Sequence, residues 1–127
     1  MKKTIKEVSN VPKAIGPYSV AVRVNNLLFI SGQIPIDPVS GKIIHGDIVI
    51  QTRQVLTNIK NILAAEGLDF KNVIKTTIFM TNLDDFSLMN EVYSQFFTSE
   101  HPARSTVQVA ALPKGANIEI EVIAAYD

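Results

Sequence analysis

Cysteine is absent from this chain of 127 residues. Without thiols there is no disulfide, no thiolate nucleophile and no zinc–thiolate centre, so three kinds of chemistry are excluded together. An excess of charge of either sign is missing too, because twelve Lys and Arg residues balance twelve Asp and Glu residues. A chain with no net charge and no basic block lacks the footprint that drives phosphate-backbone binding, which argues against a nucleic-acid partner. No apolar run approaches the roughly 18 residues that cross a bilayer. After Met1-Lys2-Lys3, the polar stretch Thr4-Ile5-Lys6-Glu7 interrupts any secretory core. No membrane partner and a cytoplasmic address are therefore expected. The sequence also has no phosphate-binding glycine loop, no Rossmann fingerprint and no Gly-x-Ser-x-Gly around any serine. His45 and His101 lie in loops with no third ligand at metal spacing, so no metal site is expected.

What is present is enough apolar content, 46% of residues, for one core in a single domain spanning residues 1–127. Ser19 to Arg23 and Leu27 to Ser31 flank Val24-Asn25-Asn26, which predicts a β-hairpin about a tight Asn turn. Pro35, Asp37-Pro38 and Ser40-Gly41 punctuate a predicted loop from Gly32 to Gly46. From Asp47 to Glu66, the residues Ile48, Thr52, Val55, Leu56, Ile59, Ile62 and Leu63 recur at helical steps, with Asp47 as N-cap and Gly67 as stop. Val73 to Thr81 predicts a strand with Ile74, Ile78 and Met80 on its apolar face. The step Asn82-Leu83-Asp84 then caps a second helix, about Asp85 to Thr98, whose apolar stripe of Phe86, Met89, Val92, Tyr93, Phe96 and Phe97 includes Asn90. Arg104 to Ala111 and Asn117 to Tyr126 predict two further strands, whose mutual pairing stays open.

This order predicts an α+β domain with two helices on one face of a single sheet. In the last strand, Ile118, Ile120, Val122 and Ala124 form the face expected to meet the helices. The other face carries Glu119 and Glu121 beside Ile123 and Ala125, while Arg104, Thr106 and Gln108 share one face of the preceding strand. A surface that is too polar for a core and too apolar for solvent predicts a homo-oligomer whose interface contains polar clefts.

The segment His101-Pro102-Ala103-Arg104-Ser105-Thr106 carries the strongest chemical signal. An arginine between a chain-bending proline and a strand can present its rigid donor fork to a carboxylate. That carboxylate is either an internal partner, Glu119 or Glu121, or a small anionic ligand. The two glutamates could equally be a solvated strand face. Tyr18 follows the turn formers Gly16-Pro17 and is either a core anchor or a pocket residue. Ser31-Gly32-Gln33 permits close approach of a ligand or serves as a simple turn. Asn90, a polar residue on an apolar stripe, needs hydrogen-bond partners.

Taken together, Ile15-Gly16-Pro17-Tyr18-Ser19, Phe29-Ile30-Ser31-Gly32-Gln33-Ile34-Pro35, Val73 to Met80 and Pro102-Ala103-Arg104-Ser105 resemble the reactive intermediate deaminase A family over nearly the whole chain. The resemblance implies a chorismate-mutase-like fold, a homotrimer with a site between neighbouring subunits, and hydrolysis of reactive 2-imino and enamine acids (2-aminoacrylate and its tautomer 2-iminopropanoate, and 2-iminobutanoate) to 2-oxo acids and ammonia without a cofactor. Carried over by position, it implies that Arg104 clasps the substrate carboxylate and Glu119 serves the attacking water. Tyr18 would close the pocket, Ser31 and Gly32 would line it, and Asn90 falls at a matching helical position. Thr106 stands where many members have cysteine, and its carbonyl would help hold the water. Val20 replaces a common glutamine, and His101 stands where some members have phenylalanine, so both bear on substrate size. A non-enzymatic metabolite sensor using the same cleft is the competing reading. RNA cleavage, attributed to some relatives, conflicts with the charge balance and lacks an acid–base histidine pair.

Overall fold

The helical periodicity between residues 47 and 66 folds as α1 (Ile48–Ala65) in the computed structural model, which covers residues 1–127. The Asp47 side chain accepts a hydrogen bond from the Ile50 amide, satisfying one of the orphan donors of the first turn. At the other end, Gly67 takes a φ of 73°, the Leu68 amide donates to the Leu63 carbonyl and the Gly67 amide to the Ala64 carbonyl. This pair of bonds is a Schellman closure. All seven residues expected on the apolar stripe are buried. The second helix, α2 (Phe86–Phe96), is shorter than the sequence suggested at both ends. Asn82 caps a preceding 3₁₀ turn, Leu83–Asp85, rather than the helix itself. Phe97 leaves the helical conformation and becomes buried against Phe70 and Tyr93.

Six strands form one sheet: β1 (Lys2–Ile5), β2 (Ala21–Val24), β3 (Leu27–Gln33), β4 (Val73–Met80), β5 (Ala103–Gln108) and β6 (Ile118–Ala125). Their order is β1-β2-β3-β6-β4-β5. Only β4 and β5 run parallel. The expected hairpin is present as β2 and β3, with Val24 opposite Leu27 and Asn25 at a φ of 53° in the two-residue turn. The last two strands do not pair, because β6 inserts between β3 and β4 and leaves β5 at the edge. Strand β1 was not anticipated, since Lys2-Lys3-Thr4-Ile5 has too little apolar content to announce itself. It pairs at the opposite edge through its backbone.

As expected, Ile118, Ile120, Val122 and Ala124 face the helices and are buried in one core with residues of both helices. In β4 the expectation for Ile74 is corrected. A bulge between Val73 and Lys75 turns Ile74 outward, at 47% exposure, and Val73 takes the buried place. The resulting molecule is an α+β fold with two helices on one side of a mixed sheet and the other side open. No helix is long and apolar enough to cross a membrane.

Candidate functional site

Two clusters of the expected site residues form, on opposite sides of the sheet. The first is built by a bulge in β3. Ile30 pairs with Val122 and Gln33 with Ile120, so β3 carries one residue more than its partner at Ser31-Gly32. The strand therefore continues through Gln33, where a loop was expected from Gly32 onward. The bulge brings the Gly32 backbone against the side chain of Glu119 on β6. A Cβ at Gly32 would overlap the carboxylate, with Glu119 Cδ 2.8 Å away. A side chain at this position would displace the Glu119 carboxylate, a constraint of space rather than of an unusual backbone angle.

Glu119 lines an open cleft of about 870 Å³ together with Tyr18, Ser31, Gly32 and Glu121. Burial raises the pKa of Glu119 above the usual carboxylate value, and the like charge of Glu121 adds to the shift. Ser31 is held firmly, its hydroxyl donating to the Ser19 carbonyl at 2.6 Å and its amide to the Val20 carbonyl at 3.0 Å. Tyr18 follows a turn in which Gly16 has a φ of 110°, and the residue remains 48% exposed in the cleft wall. Tyr18 is thus a cleft residue rather than a core anchor. Val20 is buried and also lines the cleft, whereas His101 is exposed and takes no part in it.

Two residues that the sequence reading missed fasten neighbouring segments to α1, one of them at Ile36 in the cleft wall. Gln51 donates to the Ile44 carbonyl and accepts from the Asn117 amide, while Asn58 donates to the Ile36 carbonyl. Both side chains are buried on α1 and fasten the segments before and after it to the helix. Their signal was available: they are amides at core positions of an otherwise apolar stripe.

The second cluster surrounds Arg104. In the β4–β5 register Arg104 lies beside Thr76, which is fully buried beneath the helices. The Arg104 side chain therefore points to the helical side, where Nη1 donates to Asn90 Oδ1 at 2.7 Å. Its guanidinium carbon stands 4.8 Å from the ring centroid of Tyr93 and 5.4 Å from that of Phe86. Phe86, Asn90 and Tyr93 follow one another at helical spacing, so a single stripe of α2 forms this cradle. Thr106 is on the same side of β5 as Arg104, and its Oγ1 is buried without a hydrogen-bond partner. Burial raises the pKa of Tyr93, against the opposing pulls of its Thr76 hydrogen bond and the Arg104 charge, so the hydroxyl stays neutral at physiological pH.

The expectation that Arg104 and Glu119 share one surface is corrected for the single chain. Phe79 pairs with Glu119 and Thr76 with Arg104, so the two side chains leave opposite faces of the sheet. No Arg104 ion pair with Glu119 or Glu121 forms, and the one ion pair in the chain joins Lys13 to Glu7 at 3.8 Å. Asn90 contacts Arg104 and does not reach the cleft. The guanidinium has five donors and no carboxylate within its own chain. The acid has a desolvated cleft and no cation paired to it.

The family described as endoribonuclease L-PSP matches residues 8–126. A 2-iminobutanoate/2-iminopropanoate deaminase of Capra hircus is 51% identical over 120 residues, covering 94% of this chain and 88% of the relative. Among solved structures, the Rid-family protein YyfA of Yersinia pestis superposes with a TM-score of 0.94 at 50% identity, covering 98% and 99% of the two chains. E. coli TdcF, solved with bound serine, gives a TM-score of 0.92 at 46% identity and covers 98% and 100%.

Proposed function

Because this chain belongs to the endoribonuclease L-PSP family, the group containing the reactive intermediate deaminases that its motifs resemble, we propose that it hydrolyses reactive 2-imino acids to 2-oxo acids and ammonia. The observation that carries this reading is an arginine held in place but not neutralised. Arg104 is fixed by an amide and two aromatic rings, with its remaining donors free for a substrate carboxylate. The serine held by TdcF is a carboxylate of comparable size.

In this mechanism Arg104 takes the carboxylate, and Glu119 accepts a proton from water as its oxygen bonds to the imine carbon. Glu119 returns that proton to nitrogen to give a carbinolamine, then carries the hydroxyl proton to the same nitrogen as the C–N bond breaks, so that ammonia leaves and the carbonyl forms. The raised pKa of Glu119 suits it to accept and return a proton, a contribution worth about 10²- to 10⁴-fold. Tyr18, Ser31 and Gly32 shape the Glu119 side of the pocket, and Asn90 acts through Arg104. The Thr106 carbonyl helps to hold the water. No cofactor enters the scheme.

The active species is a homotrimer in which Arg104 of one subunit meets Glu119 of its neighbour. Support comes from their placement on opposite faces and from the open sheet face, where Phe29 and Val107 are 42% and 43% exposed. RNA cleavage is not adopted as the activity, because the balanced charge offers no phosphate-binding footprint.

Two measurements test the proposal. Freshly generated 2-iminobutanoate should release ammonia faster with the protein than without it. No acceleration, with 2-oxobutanoate still bound, would select the sensor reading instead. Arg104→Ala and Glu119→Ala proteins should each be inactive, yet regain activity when unfolded and refolded together, because mixed trimers contain one intact junction. No recovery on mixing would place both roles within one chain and overturn the shared site.

A further inference from the structure

Arg104 lies in an edge strand, and an arginine side chain carries about 2 kcal/mol of rotamer entropy that must be overcome before it can present a fixed fork. The Asn90 bond restrains one nitrogen. Further restraint comes from the Phe86 ring and, at closer range, from Tyr93, whose ring lies under the guanidinium and is stacked on Phe97 with centroids 4.3 Å apart. Phe97 in turn packs edge-on against Phe70. The Tyr93 hydroxyl is 2.9 Å from Thr76 Oγ1, a buried contact between α2 and β4. Thr76 is also the register partner of Arg104. The helix is therefore latched to the sheet at the level of the arginine.

A buried hydroxyl pair is a costly way to achieve packing. A Val–Phe pair would fill nearly the same volume without desolvating two polar groups. What the hydroxyl pair adds is direction, since a hydrogen bond fixes the ring along α2 and around its axis in a way that apolar contact does not.

We propose that Tyr93, its hydroxyl tied to Thr76 and its ring stacked on Phe97, is a positioning residue that fixes the Arg104 guanidinium in the orientation from which it takes a substrate carboxylate. The inference rests on the deaminase reading for its substrate, but not for its geometry. Thr76→Val and Tyr93→Phe remove the latch and keep the volume, while Tyr93→Leu removes the aromatic face.

The test reads the side-chain ¹H–¹⁵Nε signal of Arg104, assigned by its loss in Arg104→Lys, together with steady-state hydrolysis of 2-iminobutanoate. The two latch variants should speed guanidinium rotation and raise KM by roughly 2- to 10-fold, the equivalent of one net hydrogen bond, with a smaller change in kcat. Tyr93→Leu should have the larger effect. In an Arg104→Lys background the same changes should alter KM by a factor near one, because no fork remains to be positioned. Equal factors in both backgrounds would overturn the proposal. So would lowered thermal stability with an unchanged Arg104 signal. If Tyr93→Leu fails to fold, the two latch variants carry the test alone. If the parent protein shows no imine hydrolysis, the deaminase reading fails, and the Arg104 signal still decides whether Tyr93 positions the guanidinium.

Discussion

The cradle around Arg104 and the cleft around Glu119 solve opposite problems on opposite sides of one sheet. The cation is exposed and must be restrained, so α2 supplies two aromatic faces and an amide that limit its motion without cancelling its charge. The acid is half-buried and must be accommodated, so β3 supplies a bulge and a residue with no side chain. A carboxylate beside the arginine would quench it, and a side chain at position 32 would displace the glutamate. Each half is thus defined by what is kept away from it. For the proposed reaction neither half is complete, because the sheet that displays both also keeps them apart.

This contrast can be broken from either side. The largest loss is expected from Arg104→Lys, which keeps the charge but removes the fork. One lost charge-assisted hydrogen bond of about 1.5–3 kcal/mol corresponds to ~10- to 100-fold in kcat/KM. Thermal unfolding should hardly move, and a matching fall in Tm would instead make Arg104 a structural residue. Next comes Gly32→Ala, where the methyl must displace the Glu119 carboxylate, which should lower kcat and cost no more than about 1 kcal/mol of stability by denaturant titration. Unchanged values for both would mean that the glycine contributes no necessary space.

A smaller effect is expected from Glu121→Gln. It removes the like charge that helps to hold up the pKa of Glu119, so the acid limb of the kcat/KM profile should move to lower pH. The same linkage has a sign for stability. A carboxyl whose folded pKa lies above its unfolded value stabilises the fold most at low pH and loses that contribution as pH rises through the raised value. Glu119→Gln should therefore flatten the pH dependence of stability just above the ordinary carboxylate range. The smallest effect on catalysis belongs to a site remote from both halves. Asn25→Ala places an alanine at a φ of 53° and should cost roughly 1–2 kcal/mol of stability with kcat unchanged.

Much of this arrangement was legible in the chain. The periodic positions of α1, its Asp47 cap and Gly67 stop, the Asn turn of the β2–β3 hairpin and the inward face of β6 are local patterns, and local patterns survive into the fold. Ile74 was misread because a bulge changes parity without changing composition. Strand β1 was missed because an edge strand can be recruited through backbone bonds alone. Asn90 stood out as a polar residue on an apolar stripe, but Tyr93 did not, because its latch to Thr76 and its place under Arg104 join α2 to strands that the sequence does not place beside it.

By itself the sequence determined the residue types of the proposed chemistry, an arginine and a glutamate without cysteine or a metal-ligand set, and the local elements that carry them. Tertiary structure decided which face each one occupies. That outcome depends on β6 inserting between β3 and β4 and on β5 pairing parallel to β4. Strand parity is local, but pairing is not. A register between distant strands, chosen by burial of the whole core, therefore determined that Arg104 and Glu119 would not meet within one chain.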